Sequence, residues 1–513
     1  MKKMLFVTSI LIIVSMILSA CGAPAATEAP AAPAATVAPA DTAAPADTAA
    51  PAATVAPAAT AAPAATVAPT ATALPTFAPP KAGQKVLKVW SFTNEIKTMA
   101  IAYEGLHPDV DVQYTMIPMT TGDYQTKIKA SLNTADAPDV IALEASFVKQ
   151  YVESDFLADL GSLLPDAKAA KTYQFVIDVG TDQGVTKAYS YQATPGALFY
   201  RRSLAKEYFG TDDPAKIQAL LSDMDKYTAA AEVVKQKSGG STFMVASNGD
   251  FANLFFANRA KPWIVDNTLV VDPMVQKYVD TAKTFRDKGY EAQAQQWGEG
   301  WFAGMNDTLK DAGGKPEKIF SYFLPTWGLP YVLAPNAKSK DSTSDTTGDW
   351  AVITGPLPYQ WGGTWLGAMK GSQQMDLAKD FVRFCTLDQT NLTNWATGVY
   401  TNDYLKKIDP SVPADQKQAA GDFVSSQVVV DKITKSFDTS DLSKFLGGQN
   451  SYGGFGAAAP SVTAKLMTGS DDQIQRDLQD PVAQYLLGKT SIDDMWKTWK
   501  AAVQNDFPDL TVK

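Results

Sequence analysis

The side chains that most often perform catalysis or bind metals are scarce in this sequence. Among its 513 residues there is one histidine, His107, and there are two cysteines, Cys21 and Cys385. A site with several histidine ligands is therefore impossible, and a Ser-His-Asp triad would have to use His107. The cysteines are too few for a four-cysteine zinc site and too far apart for a CxxC redox motif. These residue types predict neither a metal site nor a cofactor.

Two signatures of enzymes are absent or incomplete. Gly488-Lys489-Thr490 resembles the end of a phosphate-binding loop, but Ala483 stands where that loop requires its first glycine. The sequence contains no GxSxG serine-hydrolase elbow. The chain has 54 acidic residues, so some pair of carboxylates can always meet in space, and a glycosidase stays open as an enzymatic alternative. Nothing in the sequence selects two of those acids.

Tryptophan, in contrast, is abundant and concentrated. Seven of the 11 tryptophans fall between Trp263 and Trp365. Trp297 and Trp301 flank two glycines, and Trp361 and Trp365 bracket a Gly-Gly-Thr sequence. Because glycine gives up side-chain contacts, a tryptophan beside it is poorly explained by core packing alone. Indole faces suit the apolar faces of sugar rings, so the pattern indicates a carbohydrate site, although we expect more than half of these tryptophans to be structural.

Charge and length narrow the class of protein. Lys and Arg number 45 against 54 Asp and Glu, which gives a formal net charge of -9 and argues against a nucleic-acid partner. The length exceeds one ordinary domain. Beyond residue 84, β-rich segments at 86–90, 110–114 and 138–143 alternate with helical segments at 94–105 and 122–132. This alternation predicts an α/β fold with a mainly parallel sheet and helices on both faces.

The N-terminus has the features of an export signal. Lys2 and Lys3 precede an apolar run, and Leu18-Ser19-Ala20-Cys21 resembles the bacterial lipobox, in which the cysteine is lipid-modified after cleavage. A retained membrane helix is less favoured, because residues 4–20 supply 17 positions where a bilayer needs roughly 20. We predict a lipoprotein signal peptide over 1–20, lipidation at Cys21, and a protein anchored to the outer face of the bacterial cell membrane.

Residues 21–83 are predicted to be a tether. This segment consists almost entirely of Ala, Pro and Thr, and PAATVAP recurs at 33–39, 51–57 and 63–69. So few large apolar side chains cannot offset the entropy of ordering, so we expect a disordered and extended spacer.

Five segments beyond the tether, taken in order, resemble the family 1 extracellular solute-binding proteins, the maltose-binding-protein-like receptors of carbohydrate ABC transporters. These segments are residues 86–95, 138–160, 197–204, 301–305 and 348–372. The resemblance implies a two-lobe, type II periplasmic-binding-protein-like fold with hinge crossings between the lobes. It places the first lobe at 84–193 and 350–395, and the second lobe at 196–345 and 398–513.

The resemblance also implies a ligand site in the cleft between the lobes, near the carboxyl ends of the strands. Two acidic residues among the candidates would accept hydrogen bonds from ligand hydroxyls rather than act as acid and base. The first-lobe candidates are Trp90, Asn94, Glu95, Glu144, Gly363 and Trp365. The second-lobe candidates are Trp263, Trp297, Trp301 and Trp327.

The function that the resemblance implies is binding without turnover. The expected protein is a monomeric, lipid-anchored receptor that captures a sugar or oligosaccharide and delivers it to the permease subunits of an ABC importer; we expect no enzyme and no catalytic residue. Two other classes remain open, a surface-anchored glycan-hydrolysing enzyme and a non-catalytic adhesive lipoprotein. Tyr191-Gln192 stands where the family often has a proline before its crossing.

Overall fold

The structure of the protein is a computed structural model that describes residues 77–119, 122–132, 134–413, 416, 422–435 and 440–512. The predicted signal peptide, Cys21 and nearly all of the predicted tether lie outside the described residues. All the described residues belong to one compact unit, Pro75–Lys513. None of the helices described there is long and apolar enough to cross a membrane.

Thirteen strands are described in this part of the chain. They are β1 (Lys85–Ser91), β2 (Val110–Met116), β3 (Val140–Glu144), β4 (Thr181–Asp182), β5 (Val185–Thr186), β6 (Tyr189–Ser190), β7 (Gly196–Arg201), β8 (Thr242–Val245), β9 (Ile264–Val265), β10 (Thr268–Leu269), β11 (Lys318–Pro325), β12 (Trp350–Ile353) and β13 (Thr364–Ala368). Nine of them form the two main sheets, and the other four form two short hairpins, β4–β5 and β9–β10.

The helices cover the sheets and the connections between them. They are α1 (Asn94–Leu106), α2 (Asp123–Ser131), α3 (Val148–Val152), α4 (Leu164–Ala169), α5 (Gln174–Val179), α6 (Arg202–Phe209), α7 (Pro214–Leu220), α8 (Met224–Ser238), α9 (Ala252–Ala257), α10 (Pro273–Asp287), α11 (Glu299–Ala303), α12 (Ala334–Asn336), α13 (Met375–Leu387), α14 (Gln389–Ala396), α15 (Asn402–Ile408), α16 (Gln427–Thr434), α17 (Asp441–Phe445), α18 (Ser451–Ala458), α19 (Asp471–Leu486) and α20 (Ile492–Asp506). Short 3-10 turns and one π turn, Leu329–Leu333, complete the set.

The first lobe is built on a sheet with the strand order β2-β1-β3-β13-β6. β1 runs parallel to β2 and β3, whereas β13 runs antiparallel to β3 and β6. Four of its five strands therefore point the same way. The predicted strand segments appear as β1 to β3, and the predicted helices between them appear as α1 and α2, because parallel neighbours need a crossover connection.

The second lobe is built on a sheet with the order β12-β7-β11-β8. β7 is antiparallel to both β12 and β11, and β11 is parallel to β8, so a single strand is reversed here as well. Two α/β sheets, each with one reversed strand, confirm the predicted fold class. The core of this lobe is rich in aromatic rings; Tyr227, for example, stacks on Phe285 at 5.9 Å between centroids.

Two lobe boundaries differ from those expected from the sequence. Residues 350–353 were assigned to the first lobe, but they form β12, which pairs with β7 in the second sheet. The second crossing therefore lies at 354–363. The third was expected at 395–398, yet α15 packs on α1 and α16 packs on α14, so the chain stays with the first lobe at least to Thr434. All four residues of β12 are buried. Their sequence does not indicate which strand β12 pairs with, because strand pairing depends on residues distant in the chain.

Candidate functional site

Two of the crossings lie side by side and form the floor between the lobes. Residues 191–195 lead from β6 to β7, and residues 354–363 lead from β12 to β13. The backbone N–H of Gly196 donates to the carbonyl of Tyr359 at 2.7 Å, and that of Trp361 donates to the carbonyl of Thr194 at 3.2 Å. The Thr194 hydroxyl also donates to the carbonyl of Gly362 at 2.8 Å. These bonds fix the position of Trp361 and of the glycines that follow it.

Trp297, Trp327 and Trp361 form a cluster beside this floor, which we call the tryptophan cluster. The rings of Trp297 and Trp327 are stacked, with centroids 6.3 Å apart and planes 9° apart. Trp361 meets both rings edge-on, at 5.8 Å and 5.3 Å. The indole N–H of Trp327 donates to the Trp361 carbonyl at 2.9 Å. Trp297 remains 42% exposed and the other two are half-buried, so the cluster presents aromatic surface to solvent.

The glycines next to the cluster are required by its packing. Gly362 has a φ of +73°, and a Cβ there would lie 2.7 Å from Nε1 of Trp327. Gly363 has a φ of +114°, and a Cβ there would lie 2.9 Å from the ring of Trp365. Gly363 is itself buried. Its lack of a side chain is therefore explained by the neighbouring indole and by the backbone conformation, rather than by contact with a ligand, for which the resemblance selects this residue.

Four of the predicted ligand-binding tryptophans are inside the protein. Trp90, Trp263, Trp301 and Trp365 are each no more than 2% exposed. The indole N–H of Trp365 donates to the carbonyl of Val176 at 3.0 Å, and that of Trp301 donates to the Asp250 carboxylate at 3.0 Å. In this structure these indoles offer no face to a ligand, so their assignment as ligand contacts is corrected to core packing.

Trp263 shows most plainly why these indoles are core residues. Its ring packs edge-on against Trp499 of α20 at 5.8 Å and lies under the guanidinium of Arg259. Burying a large aromatic ring contributes more to stability than an exposed ring would. Trp263 has no glycine beside it in the sequence, and its residue type alone does not distinguish core packing from ligand binding.

The polar candidates of the first lobe lie at the ends of its elements. Asn94 and Glu95 begin α1, where Asn94 is exposed and Glu95 is half-buried. Glu144 ends β3, and its carboxylate accepts hydrogen bonds from the Ser146 backbone N–H at 2.7 Å and from the Ser146 hydroxyl at 2.5 Å. Burial raises the pKa of Glu144, and the bonds from Ser146 oppose that shift. The carboxylate of Glu144 is therefore held at the end of β3 by Ser146.

The charge of Glu95 affects tyrosines of the second lobe and of the first crossing. Burial is the largest cause that raises the pKa of Tyr331, a residue of the second lobe, and the negative charges of Asp422 and Glu95 add to it. The same two carboxylates raise the pKa of Tyr191 on the first crossing, where burial again dominates. Such coupling requires the groups to be near one another. Glu95 of the first lobe is therefore close enough to Tyr331 of the second lobe for its charge to affect the pKa of that tyrosine.

A pocket of about 270 Å³ lies between the lobes, and we call it the interlobe pocket. The first lobe, the second crossing and the second lobe all contribute to its walls. Its polar lining residues are Glu144, Ser146, Asn253, Arg259, Gln360, Thr463, Thr468, Asp471, Asp472 and Gln475. Trp361 lines the pocket and also belongs to the tryptophan cluster, so the two features are contiguous. No group of three or more His, Cys, Asp or Glu within the described residues is arranged to hold a metal ion.

Sequence reasoning therefore selected some residues of this candidate site and missed others. The structure brings Glu144, Trp297 and Trp327 to the cleft, around the floor formed by the crossings. It adds Trp361, Arg259, Gln360 and the α19 residue Asp471, which the sequence analysis did not select. The sequence contained a signal for Trp361, because Trp361 and Trp365 lie on either side of the same two glycines. Of these two tryptophans, the sequence analysis selects Trp365, which is the buried one.

A family model for bacterial extracellular solute-binding proteins matches residues 98–425 of the chain. The chain belongs to this family. No curated protein sequence matches it.

Solved structures of such proteins have the same fold. A protein described as extracellular solute-binding protein family 1 superposes with a TM-score of 0.65 at 18% identity, covering 82% of this chain and 99% of that one. The sugar-binding protein MalE from Xanthomonas citri gives 0.61 at 14% identity, covering 83% and 99%. The galacto-N-biose-/lacto-N-biose I-binding protein of an ABC transporter from Bifidobacterium longum gives 0.60 at 14% identity, covering 85% and 100%. The similarity of this chain to those proteins is a similarity of fold.

Proposed function

We propose that the protein is an extracytoplasmic receptor that binds a carbohydrate between its lobes and delivers it to the permease of an ABC importer without altering it chemically. The observation that carries this proposal is the tryptophan cluster, whose half-exposed rings continue directly into a pocket lined by carboxylates, amides, hydroxyls and a guanidinium. Aromatic faces beside a few convergent polar groups are typical of small-molecule sites. They suit a ligand with both apolar ring faces and hydroxyls.

The comparisons with known proteins support the same proposed function. Two of the structurally similar proteins are described as sugar-binding, and one of those as belonging to an ABC transporter. The extracellular character of the family supports an extracytoplasmic location. We extend both statements to this chain as part of the proposal, together with a monomeric state and Cys21 as the site of a lipid anchor.

The test of sugar binding uses Trp297. Purified full-length protein is titrated with neutral mono- to trisaccharides by calorimetry and by tryptophan fluorescence. We expect at least one sugar to bind, and Trp297→Ala to weaken that binding by about 1–4 kcal/mol, the range for aromatic anchors. Since Trp297 is 42% exposed, its truncation should change the unliganded melting temperature little.

Trp496→Ala provides the matched control, because Trp496 is another incompletely buried tryptophan but lies on α20, outside the interlobe pocket. It should leave the sugar affinity unchanged. Absence of binding by every sugar would contradict the proposed function, and an unchanged affinity of Trp297→Ala would remove the tryptophan cluster from the site.

The anchor is tested separately at Cys21. In a bacterial host, the wild type should partition with membranes as a lipid-labelled protein. Cys21→Ala should block lipid labelling and cleavage at this site, because the acyl chain is attached through the cysteine sulfur. Cys385→Ala is the control, as this buried free thiol is 364 positions (385 − 21) from Cys21 along the sequence. Equal lipid labelling of wild type and Cys21→Ala would show that the anchor is elsewhere.

A further inference from the structure

One short helix, α18, contacts both lobes outside the interlobe pocket. The chain has already entered the second lobe before this helix begins, because the backbone N–H of Gly348 donates to the carbonyl of Phe445 at 2.9 Å. α18 nevertheless packs on α16 of the first lobe as well as on β7 and β12 of the second. None of its residues, 451–458, lines the interlobe pocket. The helix therefore joins the lobes without taking part in that pocket.

α18 is attached to the second lobe at Val352 of β12. The side-chain amide of Gln449, just before the helix, donates to the Val352 carbonyl at 2.6 Å and accepts from the Val352 backbone N–H at 2.8 Å. A Cβ on Gly454 would lie 2.8 Å from Cγ1 of Val352, so the helix backbone lies directly against this side chain. These contacts fix α18 to the sheet of the second lobe.

α18 is attached to the first lobe through Tyr452. The ring of Tyr452 lies 5.4 Å from that of Phe423, and its hydroxyl donates to the carbonyl of Asp422. Asp422 belongs to the first lobe, where its carboxylate accepts a hydrogen bond from the indole of Trp395 on α14 at 2.9 Å. The carbonyl of Phe423 accepts from the backbone N–H of Ala193 on the first crossing at 2.9 Å. Tyr452 thus holds the first lobe next to this crossing.

Phe455, one turn further along α18, lies between the two lobes. Its ring meets Phe423 of the first lobe at 6.0 Å and Phe199 of β7 in the second lobe at 5.9 Å. Phe455 is only 3% exposed, so both neighbours enclose it. A change in the angle between the lobes moves Phe199 relative to Phe423, and it must therefore alter the packing of Phe455.

Two glycines of α18 have no packing reason to be glycine. A Cβ on Gly453 or Gly456 would meet nothing within 4 Å, in contrast to Gly454. Neither residue has the positive φ that favours glycine. Glycine inside a helix is destabilising relative to alanine, and a helix of eight residues has little stability of its own. α18 is therefore held in place mainly by its contacts with the two lobes.

We propose that α18 is a conformational coupler between the lobes: Tyr452 and Phe455 hold them in the arrangement of this structure, and Gly453 and Gly456 keep the helix weak enough to release it. The population of this arrangement, and with it the affinity for any solute bound between the lobes, is then set partly by residues outside the pocket. This role does not depend on which solute binds.

The backbone N–H of Gly469 reports on the arrangement of the lobes without a ligand. It donates to the carboxylate of Glu153 in the first lobe at 3.0 Å. Exchange of this hydrogen with deuterated solvent requires the bond to open, so its rate measures how often the lobes part at this point. Gly469 lies beyond the end of α18, so a change confined to the helix leaves its exchange unaltered.

Two variants should change this exchange in opposite directions. The experiment uses unliganded full-length protein and hydrogen exchange resolved to single residues by mass spectrometry. Gly453→Ala strengthens the helix at an open position, so it should slow the exchange of Gly469 about two- to fivefold, equivalent to about 0.5–1 kcal/mol. Tyr452→Phe keeps the ring but removes the hydrogen bond to Asp422, so it should speed that exchange about three- to tenfold.

A matched pair of alanines separates coupling from a general loss of helix stability. Ala457 is an exposed residue of α18, and Ala130 is an exposed residue of α2 in the first lobe. Either alanine-to-glycine substitution weakens its own helix by a similar amount. Ala457→Gly should speed the exchange of Gly469, whereas Ala130→Gly should speed exchange within α2 and leave Gly469 at the wild-type rate.

The exchange of Gly469 decides the outcome. If the variants of α18 change exchange within 451–458 but leave Gly469 at the wild-type rate, or change it in the opposite direction, α18 is an ordinary packing element and the inference is wrong. Should Tyr452→Phe lose its cooperative melting transition, Gly453→Ala and Ala457→Gly decide. Failure of every sugar to bind would contradict the proposed function alone, because no ligand enters this experiment.

Discussion

Asp250 illustrates how a single buried carboxyl group supports the cleft. It lies in the 3-10 turn Asn248–Phe251 and accepts hydrogen bonds from the indole of Trp301 at 3.0 Å and from the amide of Gln296 at 3.0 Å. Gln296 directly precedes Trp297, whose φ of +68° is unusual for a residue other than glycine. Such strain persists only where the surroundings hold the backbone. Asp250 is one of the groups that hold this segment under the tryptophan cluster.

The titration of Asp250 should make the stability of the protein depend on pH. Burial raises its pKa to about 8, and the bonds from Trp301, Ser247 and Gln296 oppose the rise. Because the pKa in the folded protein exceeds that of the unfolded chain, the protonated form contributes stability below about pH 4, and this contribution is lost as the pH rises through about 8. One such group changes the free energy of unfolding by at most about 1.4 kcal/mol per pH unit.

Asp250→Asn should therefore flatten the dependence of unfolding free energy on pH between about 5 and 8, measured by urea denaturation. Glu104, whose pKa burial raises to about 7, contributes a slope of the same sign to both proteins, so the difference between them isolates Asp250. Asp225→Asn is the control, because the Asp225 side chain is 89% exposed and its removal should leave the slope intact. Parallel curves for wild type and Asp250→Asn would show that Asp250 does not titrate in this range.

Helices and strands that follow from local sequence patterns could be predicted, whereas the pairing of strands distant in sequence could not. β1, α1 and β2 follow from short apolar alternation and helical periodicity, which are local. The sheet that residues 350–353 join determines both the partner strand of β12 and the position of the second crossing. No local sequence pattern indicates which sheet that is. For the same reason the sequence could place Trp361 and Trp365 near each other but could not tell which indole would be buried.

The second crossing should not tolerate a side chain at position 362. A Cβ at position 362 would lie 2.7 Å from Nε1 of Trp327, and the φ of +73° is itself unfavourable for alanine. Gly362→Ala should therefore lower the free energy of unfolding by about 1–3 kcal/mol and displace the Trp327 ring. The measurements are urea denaturation and the emission maximum of tryptophan fluorescence.

Gly371→Ala is the matched control for this substitution. Gly371 follows β13 on an exposed turn, and a Cβ there would meet nothing within 4 Å. It should unfold at nearly the urea concentration of the wild type. If Gly362→Ala also unfolds there, with unchanged fluorescence, then the crossing tolerates a side chain and the tight packing described here is wrong.

At the scale of the whole molecule, the two lobes touch at a point away from the two paired crossings. Glu153, just after α3 in the first lobe, accepts a hydrogen bond from the backbone N–H of Gly469 in the second lobe at 3.0 Å. Gly469 lies two residues before the start of α19, whose first residue, Asp471, lines the interlobe pocket. The contact therefore joins the lobes next to the pocket and favours an arrangement in which the pocket is covered.

This contact leads to a prediction about lobe closure. Hinged proteins populate open and closed arrangements, and a ligand shifts the balance by binding one of them more tightly. Glu153→Ala removes the carboxylate that bridges the lobes, so it should lower the closed population without touching the ligand. The apparent affinity for the best neutral sugar should then fall in proportion to that population, by about two- to tenfold.

Small-angle scattering on the full-length protein checks this prediction, because closure changes the relative position of two large bodies. Unliganded Glu153→Ala should give a larger radius of gyration than the wild type, and a saturating concentration of the sugar should bring both to the same smaller value. Glu207→Ala, at an exposed acid on α6, should behave as the wild type throughout. An identical radius for all forms, with and without sugar at proven saturation, would mean that the lobes are rigidly joined and that Glu153 does not act as a closing contact.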